Sequence, residues 1–233
     1  MKKKIVVLSG AGISAESGVK TFRDSNGLWK NHRIEEVASP IAWQNNPEMV
    51  LEFYNIRRKQ LFEVEPNAAH YALAELQNML DVQIITQNVD DLHERAGSKN
   101  VLHLHGELKK ARSTSDESLV YPLKSWELNL GDKCELGSQL RPHIVWFGEA
   151  VKNIEKAVEI SESADVFMVI GTSMLVFPAA GLLNFVSRNA PKYYIDPNAT
   201  KLTSVSNLKI IKEKAGIAVP QVLEELKKQF TTS

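Results

Sequence analysis

Short runs of apolar residues recur along this chain and alternate with longer stretches of helical periodicity. The strand candidates are Lys4–Leu8, Val82–Ile85, Val101–Leu104, Val166–Ile170, Tyr193–Ile195 and Leu208–Ile211. The helix candidates are Pro47–Phe62, Ala68–Leu80, Val151–Ser163, Ala179–Ser187 and Pro220–Phe230. Continuous apolar runs are typical of strands buried on both faces, and their alternation with helices indicates a parallel sheet. We therefore predict an α/β fold with a doubly wound, Rossmann-like sheet and helices on both faces.

Two intervals interrupt this alternation and predict a second, smaller unit. Residues 26–67 have helical periodicity without a convincing strand, and residues 108–140 are rich in Ser, Asp, Lys and Gly. We predict a large domain formed by residues 1–25, 68–107 and 141–233, and a small inserted domain formed by the two intervals. A cleft between two such units is a common place for ligands.

Composition narrows the class of protein without identifying a function. The 233 residues suffice for one large domain with a small insert. The 28 basic and 28 acidic residues give zero formal charge, so no general field attracts nucleic acid or an anionic membrane. No apolar run reaches the ~20 residues of a membrane helix, and the run after Met1 is too short for a signal-peptide core. With the single cysteine, Cys134, these features predict a cytoplasmic protein without a disulfide.

The first apolar run ends at a glycine-rich turn. Gly10, Gly12 and Ala15 fit the G-x-G-x-x-G/A spacing of a dinucleotide-binding turn. Glycines let backbone N–H groups approach a pyrophosphate, and a following helix would direct its positive end at the same anion. An ordinary dehydrogenase also needs a strand ending in Asp or Glu about 20 residues later. Thr21–Trp29 has the composition of a loop instead, so the turn predicts a nucleotide site but argues against hydride transfer.

Polar residues follow a second strand directly. Gln87, Asn88 and Asp90 lie at a predicted carboxyl edge, where open α/β sheets bind ligands. Their amide and carboxylate groups suit a carboxamide and ribose hydroxyls. The alternative is a structural turn in which Asn88 or Asp90 caps the next helix.

Two histidines alternate at the end of the next strand. His103 and His105 point to the same face of an alternating strand, so spacing alone does not separate them. His105, next to Gly106 at the strand end, is the better candidate to meet a ligand, and an imidazole pKa suits proton transfer near neutrality. We predict that His103 and His93 are core or supporting residues.

Five motifs occur in an order that resembles the sirtuins, the NAD-dependent protein-lysine deacylases. They are Gly10–Ser14 with Thr21–Arg23, Thr86–Gly97, His105–Gly106, Arg141–Glu149 and Gly171–Pro178. The resemblance runs from residue 5 to about residue 220. It implies an NAD domain facing a small domain across a cleft, and acylated protein lysines as substrates. It further implies that NAD is consumed as a co-substrate, because the acyl group passes to ADP-ribose and nicotinamide is released.

The resemblance also implies roles for individual residues. His105 would be the general base, and Asn88 would act beside it as the second catalytic residue. The residues implied to contact NAD are Gly10, Ala11, Gly12, Ile13, Ser14, Phe22, Arg23, Gln87, Asn88, Asp90, Gly171, Thr172, Ser173, Asp196 and Ala218. The residues implied to contact the acyl-lysine substrate are Tyr54, Arg57, Val145, Trp146, Phe147, Gly148 and Glu149. The last five of these would pair as a strand with the substrate backbone.

The chain departs from the family pattern where most sirtuins carry four zinc-binding cysteines. The first pair would fall near Ser113 and Asp116 and the second near Cys134, and residues 108–140 contain no histidine. A structural zinc site needs four ligands, commonly thiolate or imidazole. We therefore predict that zinc is absent and that apolar packing replaces it, through Leu119, Tyr121, Leu123, Trp126 and Leu128.

Tyr54 and Arg57 lie three residues apart and share a face if their segment is helical. A phenol and a guanidinium together suit a carboxylate. The Tyr-x-x-Arg pattern resembles that of the sirtuin class that removes succinyl, malonyl or glutaryl groups, so we expect such activity with some deacetylation. The alternatives are a plain deacetylase, a mono-ADP-ribosyltransferase on the same fold, or an NAD-binding module without catalysis.

Overall fold

The computed structural model describes residues 2–20, 28–29, 32–33 and 36–231, with only the backbone at 28–29, 32–33 and 231. The predicted cofactor residues Phe22 and Arg23 lie outside the described residues. The strands are β1 (Lys4–Ser9), β2 (Leu28–Trp29), β3 (His32–Arg33), β4 (Asp81–Thr86), β5 (Val101–His103), β6 (Gly106–Ser113), β7 (Val120–Pro122), β8 (Leu140–Ile144), β9 (Val166–Ile170), β10 (Lys192–Ile195) and β11 (Leu208–Ile211). The α-helices are α1 (Pro40–Asn45), α2 (Pro47–Glu63), α3 (Ala68–Leu76), α4 (Leu92–Arg95), α5 (Ile154–Glu162) and α6 (Ala215–Thr231). None of the helices described is long and apolar enough to cross a membrane.

Six strands form one parallel sheet, the large sheet, in the order β11-β10-β9-β1-β4-β5. Ile5 of β1 lies between Val82 of β4 and Val166 of β9. Side chains of β1 alternate between two cores, because Ile5 packs with α3 and α6 on one face and Val6 packs on the other. The predicted doubly wound α/β fold is confirmed.

A second, three-stranded antiparallel sheet has the order β7-β6-β8. Helix α2 packs on it through Phe53, Tyr54 and Leu61, which meet Leu108 of β6 and Ile144 of β8 in one cluster. We call this sheet together with α2 the small unit. The apolar patches of residues 108–140 did not indicate this sheet, which begins at Gly106 and so crosses the predicted domain boundary. The division of the chain into two domains stays a prediction.

Element boundaries differ from the predictions in physically simple ways. Each predicted strand of the large sheet lies within one residue of its observed bounds. The last helix begins at Ala215 and not at the predicted Pro220. Proline lacks an N–H and often marks a helix boundary, but Pro220 lies inside this helix. The segment Ala179–Phe185 is a 3-10 helix, tighter than the predicted α-helix.

Helix α3 is anchored to the glycine turn by its capping residue. The side chain of Asn67 accepts from the N–H of Ala69 (3.0 Å), and the Asn67 N–H donates to Nδ1 of His70 (3.3 Å). The same asparagine donates from Nδ2 to the carbonyl of Ile13 at 2.8 Å. A helix start on one face of the large sheet therefore fixes the turn that follows β1.

Candidate functional site

A cavity of about 910 Å³ lies where the carboxyl end of the large sheet faces the small unit. The predicted residues on its wall are Gly10, Ala11, Gly12, Tyr54, Arg57, Gln87, Asn88, Asp90, His105, Val145, Trp146, Phe147, Gly148, Glu149, Gly171, Thr172, Ser173 and Asp196. The structure does not bring Ile13, Ser14 or Ala218 to this wall. Ile13 and Ala218 are buried in the core on the α3 and α6 face. Most of the predicted site residues thus share one cavity.

The glycines after β1 are required by close approach of the chain that follows β9. The N–H of Gly12 donates to the carbonyl of Gly171 at 2.8 Å, and the N–H of Gly10 donates to the carbonyl of Ile170 at 3.0 Å. A Cβ on Gly12 would lie 2.6 Å from Cα of Gly171, closer than side chains tolerate. The turn after β1 and the chain after β9 therefore form one continuous wall. A residue larger than glycine at position 12 would disrupt it.

The expectation of a helix directly after the glycine turn is wrong. Ala11–Ile13 and Ala15–Ser17 are two 3-10 helices of three residues each. Their N–H groups are used locally, because Ile13 donates to the Gly10 carbonyl and Ser14 donates to the Ala11 carbonyl, both at 3.1 Å. A helix of three residues has little macrodipole, so this turn does not provide an anion site at a helix N-terminus.

Ser14 lies beneath the wall and holds two of the polar residues that follow β4. Its hydroxyl donates to Oδ2 of Asp90 at 3.0 Å and accepts from Nδ2 of Asn88 at 3.2 Å. Oδ1 of Asp90 also accepts from the N–H of Leu92 (3.2 Å) at the start of α4. Burial raises the pKa of Asp90, while these two donated hydrogen bonds oppose the rise. Asp90 therefore has a structural role at the start of α4 and also lies on the cavity wall.

Gln87 links the ends of two strands. Its Nε2 donates to Oγ1 of Thr172 at 3.2 Å, which joins the residues after β4 to those after β9. Tyr194 of β10 donates to the Thr172 carbonyl at 3.1 Å. Asp196, just past β10, accepts from the N–H of Asn198 at 2.7 Å. Polar side chains that follow β4, β9 and β10 thus lie at the carboxyl edge of the sheet.

His105 lies on the cavity wall with its tautomer fixed. Nδ1 of His105 is 3.0 Å from the carbonyl of Gln87. Because a carbonyl only accepts, Nδ1 carries the proton and Nε2 keeps its lone pair. Burial lowers the pKa of His105, and the hydrogen bond to Gln87 opposes that effect. The imidazole is therefore a neutral base at pH 7.

The two other histidines singled out in the sequence are not on this wall. Nδ1 of His103 faces the carbonyl of Asn88 (3.0 Å), and its Nε2 faces Oε1 of Glu94 (2.8 Å). Burial lowers the pKa of His103, but the hydrogen bond and charge of Glu94 outweigh it and the pKa is raised. His93 is buried, with Nε2 3.0 Å from Oγ of Ser9. Both therefore occupy supporting positions.

Helix α2 presents Tyr54 and Arg57 to the same cavity. Tyr54 is 1% exposed, and burial raises its pKa to about 12 although Arg57 opposes the rise. The guanidinium of Arg57 lies 5.7 Å from the centre of the Phe53 ring. Burial lowers the pKa of Arg57, yet an arginine pKa starts so high that the group remains cationic. A neutral phenol and a cation thus face the cavity together.

Residues 145–149 form a turn after β8 and not a strand. The N–H of Val145 donates to the carbonyl of His105 at 2.9 Å, and the N–H of Phe147 donates to the carbonyl of Ala38 at 3.0 Å. Pairing with a peptide as a strand therefore requires groups other than these two N–H groups. The segment lies on the wall, but the predicted strand is absent from the described structure.

Glu149 is held by two arginines. Its carboxylate accepts from Arg141 at 2.7 and 3.0 Å and from Arg112 at 3.2 Å. The N–H of Trp146 donates to the same carboxylate at 2.8 Å. These bonds lower the pKa of Glu149 although burial opposes them. Glu149 therefore shapes the turn through its side chain.

Several wall residues were not anticipated from the sequence. They are Val19, Lys20, Gln60, Leu61, Asn198, Lys214 and Ala215. Leu61 lies seven residues after Tyr54 on the same face of α2, a spacing that could have identified it. At the start of α6 the wall is formed by Lys214 and Ala215 and not by the predicted Ala218. Identifying them would have required the correct start of this helix.

Contacts between protein groups occur at the positions where most family members carry zinc ligands. Sγ of Cys134 lies 3.3 Å from Oγ of Ser113, and Leu128 is buried against Ala111. Among the side chains that the structure describes, no cluster of three His, Cys, Asp or Glu residues could hold a metal ion. The absence of zinc stays a prediction.

The sequence profile of the Sir2 family, the sirtuins, matches residues 10–178. A protein of Helicobacter pylori (strain ATCC 700392 / 26695) named NAD-dependent protein deacylase is 55% identical over 226 residues, covering 96% of this chain and 97% of its own. A protein of the same name from Bacteroides thetaiotaomicron is 50% identical over 230 residues, covering 97% of both chains.

Solved structures agree with these relatives. A Sir2 homologue in complex with NAD superposes with a TM-score of 0.88 at 42% identity, covering 98% of this chain and 91% of that one. A Sir2 variant with a deacetylated p53 peptide and 3′-O-acetyl ADP-ribose superposes with a TM-score of 0.77 at 30% identity, covering 96% and 94%. The glycine turn, the polar strand ends and these similarities together show that the chain belongs to the Sir2 family.

Proposed function

We propose that this chain is an NAD-dependent protein-lysine deacylase that prefers acidic acyl groups, such as succinyl and malonyl, and also removes acetyl groups. The general activity follows from relatives at 50–55% identity that carry the name NAD-dependent protein deacylase. The acidic-acyl preference is carried by one observation, the presence of Tyr54 and Arg57 on the cavity wall that also holds His105. A cytoplasmic location is part of the same proposal.

The residues at the carboxyl edge of the large sheet fit NAD. Gly10 and Gly12 leave a wall without side chains, which suits close approach of a diphosphate. Gln87 and Asn88 offer amide groups for a carboxamide, and Asp196 offers an acceptor for a ribose hydroxyl. NAD supplies the ADP-ribose that receives the acyl group, and nicotinamide is released.

His105 is proposed as the general base. Its Nδ1–H is committed to the Gln87 carbonyl, so only Nε2 is available to take a proton. The lowered pKa keeps this nitrogen unprotonated at pH 7. Asn88, held by Ser14, is proposed to orient the bound nicotinamide side of the cofactor rather than to exchange protons, because an amide does not titrate.

Tyr54 and Arg57 are proposed to recognise the far end of the acyl chain. A carboxylate there can accept a hydrogen bond from the phenol and pair with the guanidinium. An acetyl group is too short and carries no charge, so it makes neither of these contacts. Because Tyr54 is buried and Arg57 is half-buried, a charged acyl group gains more here than on an open surface.

The test compares matched peptides that carry acetyl-lysine or succinyl-lysine, by nicotinamide release and peptide mass. We expect wild type to have the higher kcat/KM on the succinyl peptide. Arg57→Met should reduce the succinyl-to-acetyl ratio of kcat/KM about 100-fold, since a partly buried charge pair contributes about 2–3 kcal/mol. Lys59→Met, an exposed cation on the same helix, is the matched control and should leave the ratio unchanged. Equal losses on both peptides after Arg57→Met would remove the acidic-acyl assignment.

His105→Ala and a radiolabel assay separate the remaining alternatives. Loss of the general base should reduce turnover of both peptides by about 10²–10⁴-fold. Label transferred from NAD to protein, with the peptide mass unchanged, would instead identify a mono-ADP-ribosyltransferase.

A further inference from the structure

A buried hydrogen bond connects the proposed acyl pocket to the turn after β8. Nε1 of Trp146 donates to Oη of Tyr54 at 3.0 Å. The two side chains are 2% and 1% exposed, so bulk water does not compete for either atom. The bond joins α2 to a segment 92 residues later in the chain. It is the kind of contact that fixes the direction of a hydroxyl group.

The ring of Trp146 is itself held on several sides. The guanidinium carbon of Arg141 lies 3.3 Å from the centre of the ring, and the ring of Trp43 lies 5.8 Å away. Arg141 is fixed in turn by two hydrogen bonds to Glu149, whose carboxylate also accepts from the backbone N–H of Trp146. The indole N–H is therefore a donor with little freedom to turn away.

This donor determines what the Tyr54 hydroxyl can do. An indole N–H only donates, so the bond occupies the phenol oxygen as an acceptor and leaves the phenol proton for another partner. Burial raises the pKa of Tyr54 to about 12, and the proton therefore stays on the oxygen at neutral pH. Accepting one hydrogen bond also polarises the O–H and strengthens its donation. A carboxylate, which only accepts, is a better partner for this proton than a methyl group.

We propose that Trp146 is a positioning residue that directs the Tyr54 hydroxyl proton into the acyl pocket and so favours an acyl carboxylate over an uncharged acyl group. The inference rests on the proposed function, because it assigns the acyl carboxylate to Tyr54 and Arg57. Trp146 acts through Tyr54 and does not itself contact that carboxylate.

Trp146→Phe keeps an aromatic ring beneath Arg141 and removes the N–H. The measurement is kcat and KM on the matched succinyl and acetyl peptides. We expect the succinyl-to-acetyl ratio of kcat/KM to fall about ten-fold, because one hydrogen bond to a charged group is no longer oriented. The change should lie mainly in KM for the succinyl peptide. A general loss of structure would lower both activities and leave the ratio unchanged.

The same substitution in a Tyr54→Phe background completes a double-mutant cycle. Without the hydroxyl, Trp146→Phe should change the ratio less than about two-fold. A ten-fold fall in both backgrounds, or no fall in the wild-type background, overturns the proposal. If Trp146→Phe does not fold, 3-benzothienylalanine at position 146 keeps the shape of the indole without its N–H and serves for the same measurement.

The outcomes distinguish this inference from the proposed function. Wild type without a preference for the succinyl peptide, together with a neutral Arg57→Met, overturns the acidic-acyl function itself. A preference that Arg57→Met removes and Trp146→Phe leaves intact overturns only the role of Trp146.

Discussion

The large sheet and the small unit are held together by different interactions. In the large sheet the central strands are apolar and fully buried, as in Ile5–Leu8 of β1 and Val166–Ile170 of β9. In the small unit two buried polar side chains of α2, Asn55 and Arg58, connect the helix to the polypeptide it packs against. We call these two residues the Asn55–Arg58 clamp.

The clamp binds backbone groups in three places. Nδ2 of Asn55 donates to the carbonyl of Leu128 (3.1 Å), and Oδ1 accepts from the N–H of Leu128 (3.0 Å). Arg58 donates from Nη1 to the carbonyl of Trp126 and to Asn55, and from Nε to the carbonyl of Leu108. The comparison teaches that the small unit adds directed hydrogen bonds from buried polar side chains to its own apolar cluster, whereas the central strands of the large sheet are buried through apolar side chains.

The largest effect is expected from a cavity in the large sheet. Phe167 of β9 is fully buried in the core beneath α5. Phe167→Ala should lower the free energy of unfolding by about 4 kcal/mol, through lost burial and the cavity left behind. Circular dichroism and tryptophan fluorescence should shift together in urea, because the small unit cannot persist without the sheet that carries it.

Phe185→Ala is the control, because Phe185 is 47% exposed. It should cost less than half as much. Equal costs at the two positions would mean that burial in the large sheet is not the main source of its stability.

A smaller loss of stability is expected at low pH, and it arises in α3, which packs on the large sheet. His70 of α3 is fully buried, and burial lowers its pKa from 6.5 to about 4. The unfolded chain therefore binds a proton that the folded chain excludes, so stability is complete above about pH 6.5 and is lost as pH falls toward 4. This difference corresponds to roughly 3 kcal/mol.

The measurement compares urea unfolding of wild type and His70→Gln between pH 7 and pH 4.5. His93, whose pKa burial lowers well below 6.5, remains in both proteins, so the variant should show a smaller pH slope and not a flat one. Identical slopes in the two proteins would contradict the assignment to His70.

The sheet could be predicted from the sequence because its signal is local. Val166–Ile170 is apolar without interruption, and its predicted bounds are the observed ones. The polar residues Gln87 and Asn88 lie on the cavity wall, and the sequence could indicate them as candidates because they directly follow such a strand. The small sheet was missed because Glu107, Lys109 and their neighbours follow no strict apolar alternation, and its contact with Arg58 comes from a distant part of the chain.

Prediction of the candidate site had the same limit: spacing within one helix was informative, but contacts between distant segments were not. Sequence spacing placed Tyr54 and Arg57 on one face of a helix, and both lie on the cavity wall. It could not indicate that Trp146 donates to Tyr54, because that contact depends on how α2 and the turn after β8 pack. Nor could it show that Ser14 lies beneath the wall, since its role is set by Asn88 and Asp90.

The smallest effect tests the clamp, and its location matters more than its size. Asn55→Ala leaves the buried N–H and carbonyl of Leu128 without their side-chain partners, which should cost about 2 kcal/mol. Trp126 and Trp146 lie in or beside the small unit, so tryptophan fluorescence should now change at lower urea than circular dichroism does. Glu52→Ala, at an exposed position of α2, should move neither signal by more than about 0.5 kcal/mol. If both signals shift equally after Asn55→Ala, the small unit and the large sheet unfold in a single transition. The difference between their stabilising interactions would then have no effect on the order of unfolding.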